Sequence, residues 1–185
     1  IGESTKKRDD LFLLGVHAYN QASQFEKALS LLVSHQFVPC EGGEHAVANE
    51  YLLAHLGLAL KAMNEGDWKS ALSQLEQNFH LPSNLGGGVW HQVMLSPYHY
   101  LTGLCKEQIE SGKGMDDFEA VYDFPINYFT TMYLPAFPIY KALASRQLGY
   151  HEEAVTLLQS SIQTFKNALR KPVNGYFAAT PFFET

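Results

Sequence analysis

Residues 140–164 constrain the fold of this chain more than any other stretch. Apolar residues recur at helical spacing on both sides of a Leu148-Gly149-Tyr150 turn, namely Ala142, Leu143, Ala154, Val155, Leu157, Leu158 and Ile162. The pattern predicts two amphipathic helices joined as a hairpin, in which Gly149 is the left-handed residue that follows the first helix. Because a single hairpin cannot bury both of its apolar faces, the remaining chain is expected to supply further helices.

Three more hairpins are predicted upstream, from helices at residues 7–22 and 25–33, 47–65 and 68–79, and 97–110 and 116–123. The short link Ser23-Gln24 requires the first pair to be antiparallel neighbours. The second pair meets at Gly66, where Asp67 is placed to cap the following helix. Ser96, which precedes a proline, is the predicted N-cap of the third pair. The last helix of the fourth hairpin is expected to end by Arg170.

The segments between these hairpins break the helical period. Loops are predicted at residues 36–46 and 80–89, and residues 124–138 are predicted to be irregular because prolines interrupt them. Residues 90–95 are interpreted as an extra turn of helix. The tail, residues 172–185, has too many aromatic side chains for a solvated linker.

The hairpins share a pattern of small and aromatic residues. An alanine lies early in each second helix, at Ala28, Ala71, Ala120 and Ala154. The residues five positions earlier are Ser23, Gly66, Met115 and Gly149, and those three positions earlier are Phe25, Trp68, Asp117 and His151. This pattern resembles the tetratricopeptide repeat, whose period of 34 residues is matched by the interval between Ala120 and Ala154. The resemblance implies that these small residues let the paired helices approach closely.

The fold class predicted from this pattern is all-α. We expect a right-handed superhelix of about four antiparallel, tetratricopeptide-like hairpins with long loops between them. Residues 1–185 then form a single repeat domain, which buries enough surface for a core without disulfides. An unrelated helical bundle is the alternative.

A narrower resemblance is carried by two stretches, LPSNLGGG at residues 81–88 and YKALASRQLGYHEEAVTLL at residues 140–158, the latter followed downstream by GYFAATPFF. They are similar to the C-terminal helical region of large bacterial proteins that have an N-terminal galactose-mutarotase-like, carbohydrate-active β-sandwich. The resemblance implies that this chain, which starts at Ile1, is a piece of a longer protein. It also implies that any carbohydrate chemistry belongs to the sandwich domain.

Charge and cysteine usage narrow the class of protein. The net charge of −6 and the lack of a long basic run argue against a nucleic-acid partner. No apolar run approaches the ~20 residues that span a bilayer, so no membrane association is expected. Cys40 and Cys105 fit no metal spacing and indicate free thiols in a reducing, cytoplasmic compartment.

No motif predicts catalysis. Gly86-Gly87-Gly88 is followed by no Lys-Ser/Thr and is interpreted as a structural loop, with Asn84 bonding nearby backbone, and not as a phosphate loop. The eight histidines include neither an HExxH motif nor an i, i+4 pair. An acidic cluster is better interpreted as a solvated helix start than as a calcium loop or an acid–base pair: Asp116, Asp117, Glu119 and Asp123. The sequence therefore predicts no catalytic residue, no metal and no cofactor.

Aromatic residues supply the remaining candidates for a binding surface. Most of the 12 Phe, 10 Tyr and 2 Trp are expected to fill the seams between hairpins, and the predicted binding residues are Trp90, Tyr98, Tyr100 and Tyr133. The predicted function is a protein-interaction or intramolecular docking scaffold, accessory to a carbohydrate-active domain. Its partner is another domain of the same chain or a peptide, and self-association into a homo-oligomer remains open. The alternative is a sugar-binding or glycoside-processing domain with an aromatic and acidic cleft.

Overall fold

The computed structural model describes residues 8–39, 44–89 and 91–170, and within these ranges the chain forms nine α-helices and no strand. The helices are α1 (Asp9–Gln21), α2 (Phe25–Ser34), α3 (Glu44–Asn64), α4 (Trp68–Glu76), α5 (Ser96–Ile109), α6 (Met115–Tyr122), α7 (Tyr128–Tyr133), α8 (Phe137–Gln147) and α9 (His151–Arg170). The all-α prediction is therefore confirmed. The tail and Trp90 lie outside the described residues.

Each predicted helix is present, and most bounds differ by one to three residues. The exception to the predicted plan is α7, which lies in the stretch predicted to be irregular. That prediction was wrong because α7 is specified by its cap and not by apolar periodicity. Asn127 Oδ1 accepts a hydrogen bond from the Thr130 N–H (3.0 Å), and Thr130 Oγ1 accepts one from the Asn127 N–H (2.9 Å), which together form a capping box.

The helices pack in chain order. Each of α1 to α5 packs on the helix that follows it, α6 packs on α8, and α8 packs on α9. Contacts between α1 and α3 and between α5 and α8 join alternate helices. The short helix α7 is an insertion that packs on α8 and on a turn of 3₁₀ helix at Gln92–Leu95, the extra turn predicted from the sequence.

Three buried clusters fill the seams between neighbouring hairpins. The first joins α1, α2 and α3 through Phe12, Val16, Ala28, Leu32, Phe37, Tyr51, Ala54 and Leu85. The second joins α3, α4 and α5 through Ala59, Ala71, Leu75 and Cys105. The third lies among α5, α6 and α8 and contains Val93, Phe118, Val121, Phe137 and Ala144. Every hairpin therefore buries an apolar face against its neighbour.

The predicted small residues are buried in three of the four hairpins. Ala28 and Ala71 have no exposed surface, and Ala154 is buried early in α9, whereas Ala120 is half-buried. The corresponding position of the third hairpin, three residues after the first residue of α6, is the fully buried Phe118.

The register predicted for the third hairpin, which equates Ala120 with Ala71, was wrong, and the turn of this hairpin is one residue longer than the turns at Gly66 and Gly149. The helices α4 and α9 begin two residues after the left-handed glycines Gly66 and Gly149. The helix α6 begins three residues after its left-handed glycine, Gly112. Counted from the start of α6, Met115 and not Asp117 therefore takes the place of Phe25 and Trp68, a displacement of two positions from the predicted register.

The left-handed conformation of Gly149 gives a direct test of the hairpin turn. Gly149 has φ +88°, and an added Cβ would meet no atom within 4 Å. We expect Gly149→Ala to lower the free energy of unfolding by about 1–2 kcal/mol, because an L side chain is disfavoured at that φ even without a clash. Gly88→Ala is the matched control, since Gly88 also has open space and lacks the positive φ. Equal urea midpoints for the two variants would contradict the assignment.

The two predicted N-caps have different outcomes. Asp67 Oδ1 accepts a hydrogen bond from the Ser70 N–H (3.0 Å), as predicted. Ser96 is not a cap, because the 3₁₀ turn at Gln92–Leu95 leads directly into α5 and leaves no extended residue at its start. Ser96 is the first residue of α5, and its hydroxyl is buried.

A clamp centred on Asn84 ties the loop after α4 to the end of α2. Asn84 Nδ2 donates to the carbonyls of Leu32 (2.8 Å) and His35 (2.7 Å). The Asn84 carbonyl accepts a hydrogen bond from the Phe37 N–H (2.9 Å). The structural role of this loop was predicted, but the backbone that Asn84 binds is distant in sequence rather than nearby.

Candidate functional site

The predicted binding aromatics do not converge on one surface. Tyr98 packs on the second cluster, between α3, α4 and α5, whereas Tyr100 and Tyr133 pack on the third cluster. Burial raises the pKa of the Tyr98 hydroxyl, and the nearby Tyr140 raises it further. Tyr98 and Tyr100, two positions apart on α5, therefore pack on different clusters, although Tyr140 lies near both.

Ring contacts show how the half-buried aromatics are used. The ring of Tyr100 lies 5.8 Å from that of Phe118 and 6.4 Å from that of Tyr140, between centroids. The Tyr133 ring stacks on the His91 imidazole at 5.2 Å. These pairs contribute to packing between helices, which is the role expected for most aromatics of this chain.

Other apolar side chains are exposed together on and beside α7. We call Ile126, Tyr128, Phe129 and Met132 the α7 patch. Tyr128 is 73% exposed and Phe129 60% exposed, and their rings meet edge-on at 5.6 Å. Met132 lies on the same side of the helix, because it follows Tyr128 by four positions and Phe129 by three.

The same helix turns a polar residue inward. Thr130 is 2% exposed, and its hydroxyl donates to the Pro125 carbonyl at 2.9 Å in addition to its role in the capping box. Tyr133 packs inward, but Thr130 is buried while Tyr128, Phe129 and Met132 face solvent. The exposed face of α7 is therefore more apolar than that of an ordinary surface helix. The cap fixes this orientation, so the patch is held in place before any partner arrives.

A charged cluster lies between α5 and α6. Lys106 Nζ is 2.7 Å from Oδ2 of the buried Asp117, and His99 Nδ1 is 3.7 Å from its Oδ1. Burial alone would raise the pKa of the Asp117 carboxyl, but His99 and Lys106 outweigh it and hold that pKa below its usual range. The ion pair joins α5 to α6. Removing one of the two charges would destabilise the fold, because the other charge would be left poorly solvated.

The predicted acidic cluster does not form one site. Among the residues that the structure describes, Asp117 is the one buried acid, whereas Asp116, Glu119 and Asp123 are exposed. The helix start is solvated as expected, except that Asp117 turns into the seam with α5. Lys106, the partner of Asp117, is a cation in the last turn of the preceding helix, and no motif in the sequence pairs the two residues.

The depressed pKa of Asp117 predicts an acid-dependent loss of stability. The ionised carboxylate contributes stability above the unfolded pKa, about 3.9, and this contribution is lost as the pH falls through the lower folded value. In urea titrations at several pH values, we expect Asp117→Asn to reduce the slope of unfolding free energy against pH below about 4. Asp116→Asn is the matched control, and identical slopes in the two variants would contradict the assignment.

Further polar groups are buried beside the same face of α5. Asn78 and Thr102 have buried side-chain atoms without a hydrogen-bond partner in the described ranges. The Phe79 ring, next to Asn78 in the chain, lies 4.5 Å from the His99 ring. Polar side chains are therefore buried beside α5 together with the apolar ones.

Among the described residues, the other titratable groups show no catalytic arrangement. Several histidines instead pair singly, in contacts of His17 with Glu50 (2.7 Å), His35 with Asp9 (2.7 Å) and His55 with Gln74 (2.8 Å). No group of three or more His, Cys, Asp or Glu that could hold a metal occurs in the part of the chain that the structure describes. Burial raises the pKa of the Cys105 thiol to about 11, so the thiol is protonated at neutral pH and weakly nucleophilic.

Comparisons with known proteins give no assignment. No family model matches the chain, and no solved structure matches it. In the described ranges, no helix has the length and apolar character needed to cross a bilayer. The α7 patch and the order of helix packing are therefore the observations from which a function is proposed.

Proposed function

We propose that this chain is a tetratricopeptide-like docking module that binds another protein surface through the α7 patch. The observation that carries the proposal is the apolar exposed face of α7, where Tyr128, Phe129 and Met132 face solvent while Thr130 is buried. The partner is another domain of the same polypeptide or a separate peptide. Following the narrower resemblance, we propose that this domain is a carbohydrate-active β-sandwich of a bacterial parent protein.

The repeat architecture is supported by the packing of successive helices. In two hairpins, a buried alanine of the first helix precedes the buried alanine of the second by twelve positions, at Ala59 and Ala71 and at Ala142 and Ala154. Small residues at both positions let paired helices lie close together, as in the tetratricopeptide repeat. Continued around successive hairpins, this packing would generate the right-handed superhelix that we propose.

The composition of the α7 patch favours a protein partner. Aromatic residues and methionine are enriched at the centres of protein interfaces, and Tyr is a frequent hot spot. Singly exposed apolar residues need no explanation, whereas adjacent ones on a rigid helix form an anchor. Cys105 is a free thiol, which favours the cytoplasm as the site of this interaction.

The carbohydrate-processing alternative lacks comparable support. It requires an acid pair beside an exposed aromatic ring. Asp117 is instead paired with Lys106, at 2.7 Å. The α7 patch includes no acidic side chain.

The proposal is tested by size-exclusion chromatography of the chain mixed with the separately expressed upstream domain of its parent protein. We expect a stoichiometric complex for the wild-type chain. The double variant Tyr128→Ser/Phe129→Ser removes both exposed rings and is expected to weaken binding at least tenfold. Since both side chains face solvent, its far-UV circular dichroism and urea midpoint should match those of the wild type.

Leu14→Ser is the matched control, because Leu14 is exposed on α1 and lies outside the patch. It should leave the complex intact. Independent elution of the two proteins would overturn the intramolecular partner. A complex that survives the double variant would overturn the patch as the docking surface.

A further inference from the structure

His91 joins the start of α5 to the end of α7. Its ring stacks on that of Tyr133, the last residue of α7, with 5.2 Å between centroids and 17° between planes. Its Nδ1 accepts a hydrogen bond from the Val93 N–H (3.1 Å) and so caps the 3₁₀ turn at Gln92–Leu95, which leads directly into α5. One imidazole therefore connects the helix that carries the α7 patch to the turn on which that helix packs.

The hydrogen bond to Val93 fixes the protonation state of this ring. A backbone N–H donates, so Nδ1 must have a free lone pair, and the imidazole is neutral with its proton on Nε2. A protonated imidazole donates from both nitrogens and offers the Val93 N–H no acceptor. Since Val93 has no exposed surface, its N–H would be left buried without a partner, which is costly. Protonation of His91 therefore breaks the cap of the turn.

The surroundings of the ring also disfavour a positive charge. His91 lies at the N-terminal end of a helical segment, where the helix dipole repels cations. The Phe124 ring lies 6.3 Å from the imidazole, and the Phe124 carbonyl accepts a hydrogen bond from Lys141 Nζ of α8 (2.7 Å). Asp123, beside Phe124, is exposed. In the described part of the chain, His91 forms no ion pair with a carboxylate that would offset these effects.

The stacking on Tyr133, the titratable side chain of α7 that faces the ring, acts in the opposite direction. An imidazolium over an aromatic face gains a cation–π attraction, which is small at a half-exposed site. The penalty for a buried N–H without an acceptor is larger, so the loss of the cap decides the outcome. Rotation of the charged ring away from Val93 would also end the stacking. Either response loosens the contact between the turn and α7.

We infer that protonation of His91 releases the end of α7, so that the α7 patch loses its fixed position and docking weakens in acid. The helix has six residues and packs mainly on α8 and on the turn that His91 caps. The contact needs the neutral ring, so it is present at high pH and is lost as the pH falls through the range in which histidine gains its proton, about 5 to 8. The effect on docking rests on the proposed function, whereas the release of α7 does not.

Two methionines report on the two sides of this contact. Met94 lies on the turn and Met132 on α7, whereas Met63 lies on α3 and is the reference. In NMR spectra of the chain with isotope-labelled methionine methyl groups, we expect the Met94 and Met132 resonances to shift with one common midpoint between about pH 8 and pH 5. The Met63 resonance should stay in place. Long-range proton–nitrogen spectra should show the His91 proton on Nε2 at the higher pH.

The variant His91→Asn separates the cap from its titration. Asn supplies an oxygen that accepts the Val93 N–H, as at other N-caps, but it gains no proton in this range. We expect the pH-dependent shifts of Met94 and Met132 to disappear in this variant. His151→Asn is the matched control, because His151 is exposed at the start of α9, and it should leave the shifts unchanged.

The consequence for docking is measured as the affinity for the upstream domain of the parent protein at about pH 8 and about pH 5. If the docking-competent position of α7 falls to about a tenth of the population, the affinity falls by the same factor. We therefore expect the wild-type chain to lose about tenfold more affinity at the lower pH than His91→Asn.

Several outcomes would overturn the inference. A proton on Nδ1 of His91 at the higher pH, an unchanged Met132 resonance in the wild-type chain, or a Met132 shift that persists in His91→Asn would each exclude the release of α7. Equal losses of affinity in the wild-type chain and His91→Asn would exclude its effect on docking. If no complex forms at either pH, the proposed function fails, and the methionine resonances still decide whether His91 controls α7.

Discussion

Phe118→Ala is expected to cost about 3–5 kcal/mol of unfolding free energy, the loss typical of removing a fully buried ring. Phe118 has no exposed surface and lies at the centre of the third cluster, which joins α5, α6 and α8. Its ring packs against the backbone of Gly103, where the absence of a side chain leaves room for it. Since domains are stable by only about 5–15 kcal/mol, this one change removes a large fraction of the total.

Urea denaturation followed by circular dichroism measures this effect. Phe129→Ala is the matched control, because Phe129 is exposed on α7 and its removal should cost less than about 0.5 kcal/mol. Similar losses of unfolding free energy in the two variants would show that Phe118 is not buried at the centre of the third cluster. The register proposed for α6 would then be wrong.

Gly114→Ala is expected to destabilise the chain by about 1–3 kcal/mol or more, because the paired helices have no space for a side chain. A Cβ on Gly114 would lie 2.3 Å from the carbonyl oxygen of Gly103, which is backbone and cannot rotate away. To relieve the clash, α6 must move off α5. That movement also breaks the hydrogen bond from the Gly114 N–H to Glu107 Oε1 (2.7 Å).

A double-mutant comparison separates this backbone clash from a side-chain clash. A Cβ on Gly103 would meet the ring of Phe118 at 2.5 Å, so Phe118→Leu should recover part of the loss caused by Gly103→Ala. The same Phe118→Leu change should recover none of the loss caused by Gly114→Ala. Gly88→Ala, in open space, is the neutral control. Recovery in both pairs would contradict the backbone contact.

Apolar periodicity was sufficient to predict eight of the helices that the structure describes. The reason is that each of them buries one face in a seam. Buried residues therefore recur at the helical period along each helix, as Ala71 and Leu75 do on α4. Gly66 and Gly149 were identifiable as turns because few other residues adopt their left-handed conformation. The turn of the third hairpin contains two glycines, Gly112 and Gly114. The sequence alone does not show which of them is left-handed, so the length of this turn could not be predicted.

The candidate site was less predictable because exposure depends on how each helix is rotated against its neighbours. The aromatic stretch around α7 was recognisable, but its outward-facing rings follow from the Thr130 cap, which fixes the rotation of that helix. Lys106 and Asp117 lie on different helices, and no local pattern requires them to meet. The predicted residues Tyr98 and Tyr100 lie close to Trp90 in sequence, whereas in the structure they pack on different clusters and form no common surface.

The Asn84 clamp changes how the N-terminal half of the molecule is expected to unfold. In a simple linear array each repeat touches only its neighbours, so the terminal hairpin frays first and the rest follows. Here the side chain of Asn84, beyond α4, holds the carbonyls that end α2, and Leu85 is buried with Phe12 in the first cluster. The first hairpin cannot open without releasing the loop that closes the second. We therefore expect the first two hairpins to unfold together as one cooperative unit.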